Sequence, residues 1–200
     1  MTRIYLASRS PRRRELLQQL GVEFEELPPN EMYGGAVDET PLAGEEAYAY
    51  VMRLARAKAE AGWRQVEARK LPLYPLLAAD TTVVHDGEIL GKPDDAVHAQ
   101  RMLRRLSGQT HEVLTAVAVA HRQRVETVVS ASAVEFRVLG DQEIHDYVSS
   151  GEPFDKAGAY AIQGSAATFV RTFNGSYSGV MGLPLIATAG LLRHFGIVPK

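Results

Sequence analysis

The sequence predicts an α/β fold in which helices flank a mixed, twisted sheet and two lobes enclose a central cleft. Three observations lead there. Short apolar runs alternate with helical stripes over the first half of the chain, as βα units do. Two long β-rich stretches, 113–120 and 125–139, follow with only His121-Arg122-Gln123-Arg124 between them, which makes them an antiparallel pair. The 200 residues, 46% hydrophobic and 23% charged, suffice for one packed domain over residues 1–200.

Composition narrows the function. A formal net charge of −2 gives no general attraction to nucleic acid or membrane, so any basic cluster must act locally. The absence of cysteine excludes disulfides, thiol catalysis and thiolate metal sites, and it fits a cytoplasmic location. The apolar start is too short for a signal peptide, prolines interrupt the apolar run over 71–79, and no stretch is suited to spanning a bilayer.

The first element is a buried strand over 4–7. It feeds Ser8-Arg9-Ser10-Pro11-Arg12-Arg13-Arg14, where Ser10 suits a helix N-cap and Pro11 the first turn, whose N–H groups lack partners within a helix. Leu16, Leu17 and Leu20 share one helical face, and Gly21 offers a left-handed stop. Arginines and serine hydroxyls therefore gather at a helix N-terminus, where free N–H groups and the helix dipole favour an anion. Cations there oppose the dipole unless an anion neutralises them, which makes the stretch a candidate phosphate cradle. A solvated basic turn, or a Ser-Pro-Arg modification or targeting signal, is the alternative reading.

Residues 22–25 alternate as a half-buried strand, and 28–41 form a loop rich in Gly, Pro and acid. A helix is expected over 45–61, stopped by Gly62, with Ala47, Val51, Leu54 and Ala55 on its apolar stripe. Lys58 falls on that stripe. Most lysines so placed extend their tips to water; a minority serve a site that needs a cation. After a connection over 64–75, Leu76-Leu77-Ala78-Ala79 reads as a buried strand running into Asp80 and Thr81-Thr82-Val83-Val84. A carboxylate in so apolar a run must be hydrogen-bonded, paired or functional. Asp86-Gly87 marks a hairpin, whose return strand Glu88-Ile89-Leu90 delivers Lys92 back toward Asp80.

Asp94 or Asp95 caps a helix that buries Ala99, Met102, Leu103 and Leu106 and ends at Ser107-Gly108. His111 precedes the long strand pair; packing or hydrogen bonding is the commoner role of a lone histidine. Asp141 caps a short helix carrying Ile144, Tyr147 and Val148. Residues 151–164 are too small, polar and glycine-rich for ordinary core. Their glycines permit close backbone approach to a ligand, and Asp155, Lys156 and Gln163 supply polar contacts. A strand is expected over 167–173 and a last helix over 185–195, introduced by Gly182-Leu183-Pro184.

Arginines, lysines and a helix N-terminus suit a polyphosphate, and the candidate carboxylates Glu39 and Asp80 suit a hard divalent cation, Mg²⁺ or Mn²⁺. A carboxylate beside such a metal can deprotonate a water that attacks phosphorus. No Walker loop or kinase signature is present, which favours hydrolysis over transfer.

Ser8-Arg9-Ser10-Pro11-Arg12-Arg13, Ala79-Asp80-Thr81, Gly91-Lys92-Pro93, Ser107-Gly108-Gln109-Thr110-His111, Asp155-Lys156-Ala157-Gly158-Ala159-Tyr160 and Gly182-Leu183-Pro184 occur in that order along nearly the whole chain. Together they resemble the Maf family of nucleoside triphosphate pyrophosphatases. The resemblance implies a fold related to the inosine triphosphate pyrophosphatases and metal-dependent cleavage between the α and β phosphates. By motif it makes Asp80 the catalytic proton acceptor and Glu39 the metal-associated carboxylate. Ser8, Arg12, Arg13, Lys58 and Lys92 become phosphate-binding groups, and Arg12, Thr81 and Gln163 set base preference. Ile162-Gln163-Gly164 resembles the branch acting on dTTP and UTP. The loop over 28–37 is longer than the family pattern, so Glu31, Asp38 and Glu39 all compete for the metal role; the spacing to Lys58 favours Glu39. The family often forms dimers, so a homodimer is one expected state. Two other readings carry different tests: a pyrophosphatase for modified nucleotides turns over m⁵UTP, pseudo-UTP or m⁵CTP first, and a nucleotide-binding division regulator releases no pyrophosphate.

Overall fold

The computed structural model describes residues 3–33 and 37–199. In chain order the elements are β1 (Arg3–Leu6), α1 (Pro11–Gln19), β2 (Glu23–Glu26), α2 (Ala47–Ala68), β3 (Leu76–His85), β4 (Glu88–Leu90), α3 (Ala96–Leu106), β5 (Thr110–His121), β6 (Arg124–Phe136), α4 (Asp141–Ser149), β7 (Val170–Asn174), α5 (Tyr177–Val180) and α6 (Leu185–Arg193). The strands form one sheet in the order β2-β1-β3-β5-β6-β7, with β4 paired to β3. β1 runs parallel to both β2 and β3, and every later pairing is antiparallel. This is the expected mixed sheet.

The period-2 alternation of β3 assigns its side chains to two faces. Leu76 and Ala78 pack with Val51, Leu54, Ala55 and Ala59 of α2, whereas Leu77 and Ala79 pack with Leu16 and Leu17 of α1 and Leu191 and Leu192 of α6. By the same parity Asp80 faces α2 and Thr81 faces α1. A further cluster, built from Val83, Met102, Leu103, Phe136, Tyr147, Tyr160 and Phe169, fills the second lobe under α3 and α4. The cleft opens where these clusters meet.

Four expectations are corrected. The second helix does not stop at Gly62 but continues to Ala68. Gly62 is a close-packing position: a Cβ there would lie 2.8 Å from a methyl of Leu76 and 3.2 Å from the Ala7 Cβ, so glycine lets the helix lie close on the sheet. The left-handed residue beyond the helix is Lys70, at φ 51°. Ser165–Phe169 is a 3₁₀ turn rather than strand, because Phe169 is drawn into the aromatic cluster with Phe136 and Tyr147. The preceding long strand ends at Phe136 and not Leu139; Arg137 N–H donates to the Phe169 carbonyl instead of continuing the ladder. Finally, Gly140 holds the N-cap position of α4 and Asp141 is its first residue, bonded to Arg104 Nε at 2.7 Å.

The remaining punctuation behaves as its chemistry requires. Ser10 accepts from Arg13 N and Pro11 opens α1; Asp95, not Asp94, caps α3 through His98 N. Asp86 and Gly87 both take positive φ (50° and 74°), which matches the strand twist of a two-residue hairpin. Among the described residues no helix is long and apolar enough to cross a membrane.

Candidate active site

A cavity of about 740 Å³ lies between the N-terminus of α1, the middle of β3, the Gly91-Lys92 turn, the Asp155–Ile162 loop and the Val180–Gly182 turn. Its described lining holds six basic residues (Arg9, Arg12, Arg13, Lys58, Lys92, Lys156) and four acidic ones (Glu31, Glu39, Asp80, Asp155). The chain is net acidic while this cavity is net basic, so an anionic ligand is drawn to one place.

The cradle at α1 is organised by its own serines. Ser8 Oγ accepts from Ser10 N at 3.1 Å, which turns the chain out of β1, and Ser10 Oγ caps the helix through Arg13 N at 3.4 Å. Arg12 and Arg13 both line the cavity, as does Ser8. Arg13 is held by two contacts: its Nε donates to the Gly182 carbonyl at 2.9 Å and its Nη2 to Thr81 Oγ1 at 3.2 Å. Burial lowers the guanidinium pKa from its usual value, with the Asp80 charge opposing that effect.

Across the cleft the α2 side carries the carboxylates. Lys58 Nζ lies 2.6 Å from Asp80 Oδ1 and 2.6 Å from Glu39 Oε1, and Lys92 Nζ lies 3.8 Å from Glu39 Oε2. Lys58 does not extend its tip to water: it lines the cavity with a side chain only 19% exposed. Glu39 is pulled both ways: burial raises its carboxyl pKa, but the Lys58 hydrogen bond and charge, then Lys92 and Arg13, hold it below the usual carboxylate value.

Glu39, rather than Glu31 or Asp38, converges with Asp80. Glu31 lines the cavity without joining the Lys58 cluster, and Asp38 instead accepts from Thr40 N at 2.9 Å. No group of three or more His, Asp or Glu side chains suited to a metal occurs among the described residues. Glu39 and Asp80 meet at the Lys58 ammonium, and two such carboxylates are the oxygen donors a hard cation prefers.

Two residues that position this cluster escaped the sequence. Tyr50, on α2, donates its hydroxyl to the Glu39 carbonyl at 2.9 Å; burial, then the charges of Asp80 and Glu39, push its phenol up to about 12, so it stays a neutral donor. Arg53 grips Glu45 through two bonds, at 2.6 and 2.7 Å, and reaches the Thr40 carbonyl at 3.2 Å, tying the acidic loop to α2. That all three residues lie on α2 was legible, but not which loop Tyr50 and Arg53 would meet.

His111 is buried and not catalytic in placement: its Nε2 lies 2.8 Å from the hydroxyl of Tyr160, which lines the cavity. Gln163 is exposed and stands outside the lining, where the adjacent Ile162 is found instead. Arg12, Arg13, Ser8, Lys58, Asp80, Thr81, Lys92 and Glu39 are all brought together.

Comparison with known proteins bears on the family. The family model described as Maf-like protein matches residues 3–195. A dTTP/UTP pyrophosphatase of Dechloromonas aromatica (strain RCB) is 55% identical over 199 residues, covering 98% of this chain and 99% of that protein. Another dTTP/UTP pyrophosphatase, from Chromobacterium violaceum, is 56% identical over 195 residues, covering 98% and 96%. A solved structure, that of the Staphylococcus aureus Ham1 protein, aligns over 67% of this chain and 71% of that one at 12% identity and a TM-score of 0.44, too slight a likeness to carry an argument. With nearly every residue inside the family match, the chain belongs to the Maf-like protein family.

Proposed function

We propose that this protein hydrolyses dTTP and UTP to the nucleoside monophosphate and pyrophosphate. The observation that carries the reading is the Glu39–Lys58–Asp80 cluster facing the arginine-bearing N-terminus of α1 across one cavity. Relatives more than half identical over nearly their whole length bear the name dTTP/UTP pyrophosphatase.

In this reading Arg12, Arg13, Lys58 and Lys92, with Ser8, bind the triphosphate oxygens, Arg through forked donors and Lys through point charge. Asp80 takes a proton from water; the water oxygen attacks the α phosphorus, the bond from that phosphorus to the bridging oxygen breaks, and pyrophosphate leaves with the electron pair. Lys58 holds both carboxylates by ion pairs until a ligand enters. Glu39 and Asp80 are the residues that would hold Mg²⁺ or Mn²⁺, which when bound would supply charge neutralisation at the reacting phosphates. Arg12 and Thr81 contact the base from the lining, and Gln163 reads it from the rim. The protein acts in the cytoplasm, as a monomer or homodimer, on a free nucleotide.

The test is pyrophosphate release from UTP, dTTP, CTP, dCTP, m⁵UTP, pseudo-UTP and m⁵CTP with Mg²⁺ or Mn²⁺ in ¹⁸O-labelled water. Expected are preference for dTTP and UTP and label in the monophosphate. Label in pyrophosphate, or orthophosphate as the primary product, overturns the chemistry; binding without release makes the protein a nucleotide sensor, and preference for a modified nucleotide changes the substrate.

A further inference from the structure

Thr115 has no place in the cavity. It sits in the middle of β5, directly opposite Thr81 on β3, and is 0% exposed. A threonine hydroxyl at such a position needs a partner, and here the partners define a direction. Thr115 Oγ1 donates to the Gly179 carbonyl at 2.7 Å, which uses its only proton. In the 2.9 Å contact between the two threonines Thr81 must therefore be the donor. With that proton committed, Thr81 Oγ1 meets Arg13 Nη2 as acceptor, at 3.2 Å.

The chain closes on itself. Gly182 N–H donates to the same Gly179 carbonyl at 2.8 Å, and the Gly182 carbonyl accepts Arg13 Nε at 2.9 Å. Arg13, Thr81, Thr115, Gly179 and Gly182 thus form a ring of hydrogen bonds, each donor already assigned, that joins α1, β3, β5 and the turn after α5. Gly182 has φ +114°, which few other residues adopt. Two of the five guanidinium N–H donors are taken by the ring, leaving three on Nη1 and Nη2 for a ligand.

We propose that Thr115 is a positioning residue that acts through Thr81 to lock the Arg13 guanidinium in the orientation that receives the triphosphate. This rests on the phosphate role proposed above for Arg13. The device has a physical purpose: an arginine fixed before the ligand arrives loses less rotamer freedom on binding than a free one, so more of its interaction appears as affinity. Without Thr115 the Thr81 hydroxyl regains rotation, can turn its proton toward Nη2, and repels the group it now holds.

Thr115→Val is the informative change, being nearly isosteric and leaving the Gly179 carbonyl still paired to Gly182 N–H. Binding of inorganic tripolyphosphate to the full chain, measured by calorimetry, reports phosphate capture independently of base and of turnover. Thr115→Val should weaken it about tenfold, the scale of one hydrogen bond to a charged group, while Thr115→Ser retains wild-type affinity. With UTP the loss should fall mainly on KM. In an Arg13→Lys background, where the ring is already open, Thr115→Val should cost less than about twofold, since the two residues act as one unit. Unchanged tripolyphosphate affinity in Thr115→Val, or the same loss in both backgrounds, overturns the proposal. Should Thr115→Val fail to fold, Thr81→Val cuts the ring one link nearer the cleft and must show the same loss and the same dependence on Arg13. A wild-type protein that binds tripolyphosphate through this ring yet releases no pyrophosphate from UTP would refute the proposed reaction and leave the ring standing.

Discussion

Replacing Asp80 by Asn removes one charge and one proton acceptor while keeping the shape of the side chain. The structure sets what this should do to stability and to rate separately. Asp80 is only 10% exposed and touches Lys58 at 2.6 Å, so breaking the pair outright would resemble the loss of a buried ion pair, about 3–5 kcal/mol. Lys58 is not stranded, however, because Glu39 remains 2.6 Å from the same ammonium and the asparagine carbonyl still accepts from it. The stability cost should therefore stay near ~1 kcal/mol, a fall in Tm of roughly 2–4 °C for a chain of this size. The rate has no such compensation. A missing general base costs about 10²–10⁴-fold, roughly 3–5.5 kcal/mol of barrier. The assay is pyrophosphate release at saturating UTP, paired with calorimetric binding of UTP and a melting curve. Expected are a near-native melt, retained nucleotide binding, and turnover reduced by at least about a hundredfold. Turnover within a few-fold of wild type would remove Asp80 from the reaction, and a loss explained wholly by weakened binding would reduce it to a structural partner of Lys58.

Lysine at Arg12 or Arg13 should restore only part of the tripolyphosphate affinity that alanine removes, because the forked donors are lost with the charge retained; full recovery in both would make the cradle a diffuse field. Gly158→Ala should lower Tm by several degrees, since its φ is +69° and an added Cβ would lie 2.8–3.0 Å from three atoms of Val83, a strain of about 1–3 kcal/mol; an unchanged melt would show that the Asp155–Ile162 loop yields freely. Burial, then the charge of His85, pulls the His111 pKa from 6.5 down to about 3. The unfolded chain therefore binds a proton that the fold refuses, so stability present above pH 6.5 is lost as pH falls from 6.5 toward 3, at up to about 1.4 kcal/mol per unit. His111→Gln should flatten the fall of Tm between about pH 7 and pH 5, and an identical slope would place the acid sensitivity elsewhere. Gln163→Glu should lower the ratio of kcat/KM for UTP over CTP more than it lowers kcat itself; an unchanged ratio would leave base reading to Arg12 and Thr81, which line the cavity.

The sequence by itself determined the local grammar and most of the chemistry. Ser10-Pro11 dictated where α1 begins, Asp86-Gly87 the hairpin that returns Lys92, and an aspartate in the run Leu76–Val84 had to be hydrogen-bonded, paired or functional. These are signals carried within a few residues, by cap geometry, turn φ values and desolvation cost, and they need no knowledge of neighbours far along the chain. The tertiary structure decided whatever depended on which face met which. Gly62 reads as a helix stop in sequence and proves to be a helix-interior contact because Leu76 happens to press against it. Phe169 belongs to a strand by propensity and to a 3₁₀ turn by packing, since an aromatic cluster with Phe136 and Tyr147 outweighs β-preference. Spacing to Lys58 favoured Glu39 over Asp38 and Glu31, but that Tyr50 and Arg53 tie its loop to α2, with Glu39 against Lys58, is visible only in the structure. Thr115 carried no signal at all: one threonine in a β-rich run is ordinary, and its meaning appears only when the register sets it opposite Thr81 with the Gly179 carbonyl in reach. A hydrogen bond depends on angle and on tenths of an ångström, and a linear sequence records neither between residues 13, 81, 115 and 179.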